Sequence, residues 1–426
     1  MTATPSCVVI IGAGLAGAKT AEHLRAIGFD GTITLVGREE HRPYERPPLS
    51  KANLIEGSVP DKDLFVHEPS WYAEHDVDLR LGCTVEEVDL RSHTLSTTST
   101  EGRRTFAFDA LVLATGSSPR RLDVPGADLT GIHHLRTLDD SRRLRAALTG
   151  HPRVVLVGGG WIGLEVAAAA ATLGASVTVL EAGGMPLGSV LGERLASVLV
   201  AAHRSHRVQL RTRVDVVGFT ATSDGRVAAV RLGDGTTVPA DVVVVGVGAR
   251  PNVELARAMR LAVDDGVLTD EFLRTSHPRV LAVGDIAHAW HPVFGRRIRV
   301  EHWANALNQP RTAAATIVGK WTAYDRLPYF YSDQYDLGLK YTGHVARRDI
   351  TELVVRGDER SGTFMAFWLR EGRVAAGMCV NVWDQMDSIQ ALIRSRAEVS
   401  AARLGDPSTP LGEVVTEPRQ ARIALS

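Results

Sequence analysis

Two glycine-rich runs, Gly12-Ala13-Gly14-Leu15-Ala16-Gly17 and Gly158-Gly159-Gly160-Trp161-Ile162-Gly163, share the spacing GxGxxG, and each directly follows an apolar run. In such a turn the first glycine permits a tight reversal, the second lets backbone approach a pyrophosphate, and the third lets a helix close on a strand. The pyrophosphate then meets the orphan N–H groups of the helix N-terminus. Candidate ligands are Gly12, Gly14, Ala16 and Gly17 in the first run, and Gly158, Gly160, Trp161, Ile162 and Gly163 in the second. One such run is weak evidence; two in a strand-to-helix context imply two nucleotide cofactors on one chain. The simplest device of that kind passes electrons between them.

An acid about 20 residues beyond the last glycine is the expected partner of an adenine ribose. For the second run this is Glu181, which closes the strand-like Val177-Thr178-Val179-Leu180. A carboxylate there accepts from the ribose hydroxyls and repels a 2′-phosphate, and no arginine follows in Ala-Gly-Gly-Met-Pro-Leu-Gly. NADH is therefore expected over NADPH. A second acid, Asp285, ends the apolar run Val-Leu-Ala-Val-Gly-Asp at 280–285. At the carboxyl end of a parallel strand it points into the crevice where open α/β sheets hold ligands. The three cysteines, Cys7, Cys83 and Cys379, form no CxxC or CxxxxC pair. A dithiol relay therefore has no local couple to work with.

Those residues need positioning elements, and the chain supplies a repeated plan. A strand at Cys7–Ile11, a helix over about 15–27 and a strand at Thr32–Val36 return as 154–157, an alanine-rich helix and Ser176–Glu181. Further buried strands are expected at 108–116 and 241–247. The run Arg42-Pro43-Tyr44-Glu45-Arg46-Pro47-Pro48-Leu49-Ser50-Lys51 is too proline-rich for regular structure and reads as a stiff loop. From about 326 the pattern becomes antiparallel, with strands at 338–345, 351–355, 363–369 and 373–379 and a helix at 384–395.

At 426 residues the chain has room for two or three domains. A net charge of −1 gives no global attraction to nucleic acid or to an anionic membrane. The clusters Arg142/Arg143/Arg145, Arg204/Arg207/Arg211/Arg213 and Arg296/Arg297/Arg299 are candidate local patches for a charged partner, although most such runs are plain solvated faces. The apolar run Val8 to Ile11 is far too short for a signal peptide or a membrane span, so a cytoplasmic protein is expected. No metal site is expected.

Together with Arg46-Pro47-Pro48-Leu49-Ser50-Lys51, Ala114-Thr115-Gly116, Leu135-Arg136-Thr137-Leu138, Gly158 to Glu165, Val283-Gly284-Asp285 and Ser332-Asp333-Gln334-Tyr335 with Lys340, these features resemble a known family over nearly the whole chain. It is that of the FAD-dependent, NADH-oxidising ferredoxin reductases of bacterial oxygenase systems, the putidaredoxin-reductase and biphenyl-dioxygenase-reductase type. The resemblance implies an α/β fold with two Rossmann-like domains, for FAD (1–113 and 250–325) and NAD (114–249), and a C-terminal α+β interface domain (326–426). It adds Lys51, Val85, Ala114, Thr115, Gly116, Arg136, Gly284, Asp285 and Trp303 to the FAD site, and Glu165 and Gly248 to the NAD site.

Lys51 is implied to lie near flavin N5, paired with Glu165. The pairing would leave no isolated charge beside the flavin, and neither residue is assigned as acid or base. Where the family often shows an acid after the second strand this chain has Arg38, so Glu39 is the substitute for the FAD ribose contact. Arg311 and Lys340 fall at positions that flank a docking face for a [2Fe–2S] ferredoxin, met transiently and electrostatically by a monomer or weak homodimer. Alternatives are a rubredoxin or monodehydroascorbate reductase of the same fold, or an NADH-sensing flavoprotein like apoptosis-inducing factor.

Overall fold

The computed structural model describes residues 5–57 and 59–416. The outermost residues of the expected first and last domains, 1–4 and 417–426, lie outside the described residues, as does 58. The chain separates into two compact units, one of residues 1–180 and 215–326, the other of 181–214 and 327–426.

The first unit is organised by parallel sheets whose strands are continuous apolar runs. One sheet has the order Val280–Ala282, Ala110–Leu113, Cys7–Ile11, Thr32–Val36, Val77–Arg80, all parallel. Its alternating residues feed two cores. Val8, Ile10, Ile33, Leu35 and Val112 face one, with Ala21, Leu24, Ala313 and Ile317 from the helices Leu15–Ala26 and Trp303–Ile317. Val9, Ile11, Val36, Leu111 and Leu113 face the other. Burial on both faces explains why these strands show no polar alternation.

A second parallel set runs Ser176–Glu181, Arg153–Val157, Val242–Val245, Ile132–His133. The helix Trp161–Thr172 that follows Arg153–Val157 is buried from Gly163 through Ala170. A short antiparallel pair, Ser117–Pro119 with Ala249–Pro251, marks where the chain passes between the two sheets.

The proline-rich segment corrects the expectation of an irregular loop. Pro47–Ser50 forms a 3₁₀ turn and Ala52–Ile55 a helical turn. Proline is tolerated at the start of a helical turn because its missing N–H would have no partner there. Within the run, 42–46 stay irregular and only Pro47–Ser50 wind into a helical turn.

The second unit holds an antiparallel sheet of order Tyr329–Gln334, Leu337–Gly343, Arg373–Val380, Thr363–Arg370, Glu352–Asp358. The helix Met386–Ser395 lies on it so closely that a Cβ on Gly377 would stand 2.4 Å from Ile389 Cγ2. Strand Tyr329–Gln334 was not anticipated. A second helix, Glu193–Ser205, is tied to the same unit by the bidentate pair Arg194–Glu359 (2.7 Å) and by His203 Nε2 to Gln334 Oε1 (2.9 Å).

Candidate functional site

Each glycine run closes in the same way. A Cβ on Gly12, which has φ +114°, would stand 2.2 Å from the carbonyl oxygen of Ala114, and one on Gly17 would stand 2.0 Å from that of Gly12. In the second run a Cβ on Gly158 would stand 2.4 Å from Gly246 O, and one on Gly163 would stand 2.3 Å from Gly158 O. Backbone packing alone requires those four glycines. Gly14 and Gly160 are different: each is the N-cap of its helix, and a Cβ there would meet nothing within 4 Å. The protein leaves space in front of two helix N-termini, where orphan N–H groups suit a pyrophosphate.

Around the first cradle the polar side chains form one connected network. Asp285, 9% exposed, follows the strand Val280–Ala282; its Oδ2 accepts from Arg136 Nη2 (2.7 Å) and Ser117 Oγ (2.8 Å). Burial alone would raise the Asp285 pKa, but the charge and hydrogen bond of Arg136, the Ser117 hydroxyl and Arg46 outweigh it and hold the carboxyl below its ordinary value. Arg46 donates to the carbonyl oxygen of Arg136 and, through Nη2, to Glu39 Oε1 at 3.0 Å. Tyr44 donates to Glu39 Oε2 (2.5 Å) and accepts from the Leu138 N–H (3.0 Å).

Glu39 is thus half-buried and holds Tyr44 and Arg46 in place, while Arg38 points to solvent. Gly284, with φ +77°, donates its N–H to Gln309 Oε1 at 2.7 Å. Thr115 and Gly116 are anchored by Asn252: its Nδ2 donates to Thr115 O (2.8 Å) and its N–H to Gly116 O (3.0 Å). Arg136 Nε is buried, and no acceptor among the described residues meets it. A buried donor of this kind is rare unless something else occupies the site.

The two cradles are joined by an ion pair. Lys51 Nζ lies 2.8 Å from Glu165 Oε1, and Ser50 Oγ donates to Glu165 Oε2 at 2.5 Å. Lys51 leaves the 3₁₀ turn, whereas Glu165 belongs to the helix opened by the second glycine run. A glutamate only 6% exposed in an otherwise alanine-rich buried helix needs such a partner. Trp303 begins the helix Trp303–Ile317, and its Nε1 donates to Glu45 Oε2 at 2.5 Å. Burial raises the Glu45 pKa, and the Trp303 hydrogen bond works against that rise.

Other predicted positions are less gathered. Val85 packs its side chain on the apolar core, which leaves only its backbone for a ligand. Ile162 is half-exposed at the start of its helix, and Gly248 has φ +101°. Glu181 ends the strand Ser176–Glu181, and its Oε1 accepts from the Gly183 N–H at 2.6 Å. Arg311 is exposed on its helix; Lys340 Nζ sits 4.7 Å from the ring centre of Trp383. Cys7, Cys83 and Cys379 are all unbridged. Sequence reading missed Ser117, Glu45, Asn252 and Gln309 as parts of the network, because single polar residues far apart in the chain carry no spacing signal.

Residues 6–310 match the family model for pyridine nucleotide-disulphide oxidoreductases, and 329–415 match the reductase C-terminal model. The chain belongs to the pyridine nucleotide-disulphide oxidoreductase family. Within it, the chain is 38% identical over 414 residues to putidaredoxin reductase of Pseudomonas putida, covering 96% of each protein. It is also 38% identical to the ferredoxin–NAD(+) reductase component of an anthranilate 1,2-dioxygenase system from Burkholderia cepacia, covering 96% of this chain and 99% of that one. Among solved structures, the covalent putidaredoxin reductase–putidaredoxin complex superposes with TM-score 0.90 at 37% identity, over 96% of this chain and 97% of that one.

This pyridine nucleotide-disulphide oxidoreductase is thus an oxidoreductase whose cofactors are FAD and NADH. The expected α/β fold with two dinucleotide-binding domains and a C-terminal reductase domain is borne out. The residues present fit both groups: two open helix N-termini and a buried guanidinium donor await phosphate and hydroxyl oxygens. Among the described residues no helix is long and apolar enough to cross a membrane.

Proposed function

We propose that the protein takes hydride from NADH onto FAD and hands the electrons singly to a [2Fe–2S] ferredoxin that serves an oxygenase, either a haem-thiolate monooxygenase or a Rieske dioxygenase. The observation that carries this reading is the Lys51–Glu165 contact of 2.8 Å. It ties the turn beside the first cradle to the helix of the second, so two dinucleotides would meet at their reactive ends. FAD, when bound, supplies the chemistry that accepts two electrons together and releases them one at a time.

The chain's own residues bind and orient. Gly12, Gly14, Ala16 and Gly17 would take the FAD pyrophosphate, and Gly158, Gly160, Trp161, Ile162 and Gly163 that of NADH. Asp285, held ionised by Arg136 and Ser117, is an acceptor for a flavin side-chain hydroxyl. Ala114, Thr115, Gly116 and Gly284 would line the same ligand as backbone, with Val85 contributing its main chain. Trp303 would wall the flavin, and its helix N-terminus would favour negative charge on the reduced ring.

Glu181 would select NADH over NADPH, and Gly248 would belong to the NADH site. The FAD domain comprises 1–113 and 250–325, the NAD domain 114–249 and the interface domain 326–426. A cytoplasmic site fits a consumer of NADH. No cysteine couple stands ready to take the electrons, which favours an iron–sulfur acceptor over a disulfide. Arg311 and Lys340 would steer an acidic ferredoxin in a small, short-lived contact.

The test is direct. Purified protein should be yellow, NADH should bleach the flavin anaerobically faster than NADPH does, and cytochrome c reduction should start only when a ferredoxin is added. Colourless protein that stays so with free FAD sinks the proposal. Fast bleaching with no transfer to any ferredoxin sinks its second half.

A further inference from the structure

The segment after Glu181 acquires a cation that its own sequence lacks. No arginine occurs in the run 182–188 directly after Glu181, yet the chain returns to that run later. The Arg213 N–H donates to Gly183 O at 3.0 Å and the Val214 N–H to Glu181 O at 3.3 Å, which staples 213–214 to the turn leaving Glu181. Arg213 adopts φ +56°, a conformation glycine takes freely and a side-chain-bearing residue takes at a cost. In that conformation its guanidinium lies along the turn: a Cβ on Gly184 would stand 3.5 Å from Arg213 Nη2 and 3.9 Å from Cζ. Arg213 is exposed, and among the described residues no carboxylate forms an ion pair with it. The turn that presents the Glu181 carboxylate, with Oε1 2.6 Å from the Gly183 nitrogen, therefore also presents a guanidinium.

The two groups have opposite preferences. A carboxylate accepts from ribose hydroxyls and repels a 2′-phosphate, whereas a guanidinium fork matches phosphate oxygens and stacks on flat rings. We propose that Arg213 is a second nucleotide-selecting residue: its guanidinium beside Gly184 receives a 2′-phosphate, so NADPH is admitted as the weaker alternative, while Glu181, acting against it, keeps NADH preferred. The inference rests on the reading of Glu181 as the ribose-binding acid. It corrects one element of the sequence argument, because the arginine that NADPH needs is already present, supplied by the tertiary structure and not by the next few residues.

Calorimetric binding of adenosine 2′,5′-bisphosphate and of 5′-AMP to the full-length flavoprotein separates the possibilities. Glu181→Gln alone should raise the affinity ratio of bisphosphate to AMP about tenfold, with the gain shrinking as salt screens the exposed guanidinium. Glu181→Gln with Arg213→Gln should lose that gain, and Glu181→Gln with Arg213→Lys should recover part of it. Arg213→Gly, which also relaxes the backbone, should match Arg213→Gln. Steady-state kcat/KM for NADPH relative to NADH should follow the same order.

A gain that survives removal of Arg213 overturns the proposal. So does a Glu181→Gln protein that loses AMP affinity without gaining the bisphosphate, although the ribose reading then stands. If Glu181→Gln changes neither probe, both readings fall.

Discussion

The two glycine cradles share a backbone plan and differ in the side chains named around them. The first is wrapped by a buried network in which Asp285, Arg136, Ser117, Arg46, Glu39 and Tyr44 hold one another. The second opens on Trp161 and a half-exposed Ile162, with the Lys51–Glu165 pair as its one buried ionic contact named above. The difference matches the tasks proposed for them. A resident cofactor profits from a pre-ordered polar cage that pays for its desolvation once, at assembly, while a substrate that must leave each cycle needs a site with little to rebuild. At the first cradle that preorganisation takes the form of a connected set of buried side chains around Asp285 and Arg136.

The sharpest break between scaffold and ligand roles lies inside each glycine run. Gly12→Ala places a methyl group 2.2 Å from a carbonyl oxygen at φ +114°, so it should cost at least about 4–5 kcal/mol and yield little folded protein. Gly14→Ala meets nothing within 4 Å at an ordinary φ of −92°, so the apoprotein should melt within a few degrees of wild type while flavin content falls severely. Thermal unfolding with and without added FAD measures both. Equal behaviour of the two variants would dissolve the distinction.

Next in size is the network itself. Asp285→Asn removes the charge that Arg136 faces at 2.7 Å, a change worth about 3–5 kcal/mol for a buried pair, and it should release FAD. The pH dependence has a definite sign. Because the folded-state pKa of Asp285 lies below its ordinary value of about 3.9, the stabilisation is present above that value and is lost as pH falls through the folded value. The gap in melting temperature between wild type and variant should therefore be widest near neutrality and close in acid. A gap constant down to pH 3 would contradict the assignment.

The junction of the cradles comes third. Glu165→Gln leaves Lys51 beside a neutral amide and should slow anaerobic flavin reduction by roughly ten- to a hundredfold through lost positioning. Replacing both Lys51 and Glu165 with methionine should restore the melting temperature, since a buried pair often gives way to apolar packing at no loss, but not the rate. Recovery of both would make the pair purely structural. At the second cradle, Gly160→Ala meets nothing within 4 Å and should raise KM for NADH about tenfold with kcat little changed.

How much of this was legible in the chain depends on what kind of signal a residue leaves. The parallel strands announced themselves as unbroken apolar runs such as Val154–Val157, since both sheet faces are covered. The glycines did so through spacing, and the antiparallel strands Thr363–Arg370 and Arg373–Val380 through the turn between them. The strands Thr84–Asp89, Thr94–Ser99 and Gly102–Ala107 did not, because a small, largely exposed sheet of Thr, Glu, Ser and Arg has no hydrophobic period.

The proline-rich run was read as irregular, which holds for 42–46 but not for Pro47–Ser50, because proline fixes φ without deciding whether the next residues wind. Least legible were partnerships made by the fold alone: Gln309 on Gly284, Asn252 on Thr115, Arg213 on Gly183. Each joins residues that no local pattern links.

The smallest expected effect separates both cradles from the surface. Arg311 is exposed, so its charge acts through solvent and ions and can contribute only to encounter, not to the cofactor network. Arg311→Glu should therefore lower kcat/KM for an acidic ferredoxin by about three- to tenfold at low salt, with the deficit vanishing at high ionic strength. Flavin bleaching by NADH should not change, because neither glycine cradle nor the Lys51–Glu165 pair includes that side chain. If stopped-flow traces instead slow in both half-reactions and stay slow in salt, Arg311 supports the flavin site. The contrast between a caged cofactor and a lightly held exterior would then have to be redrawn.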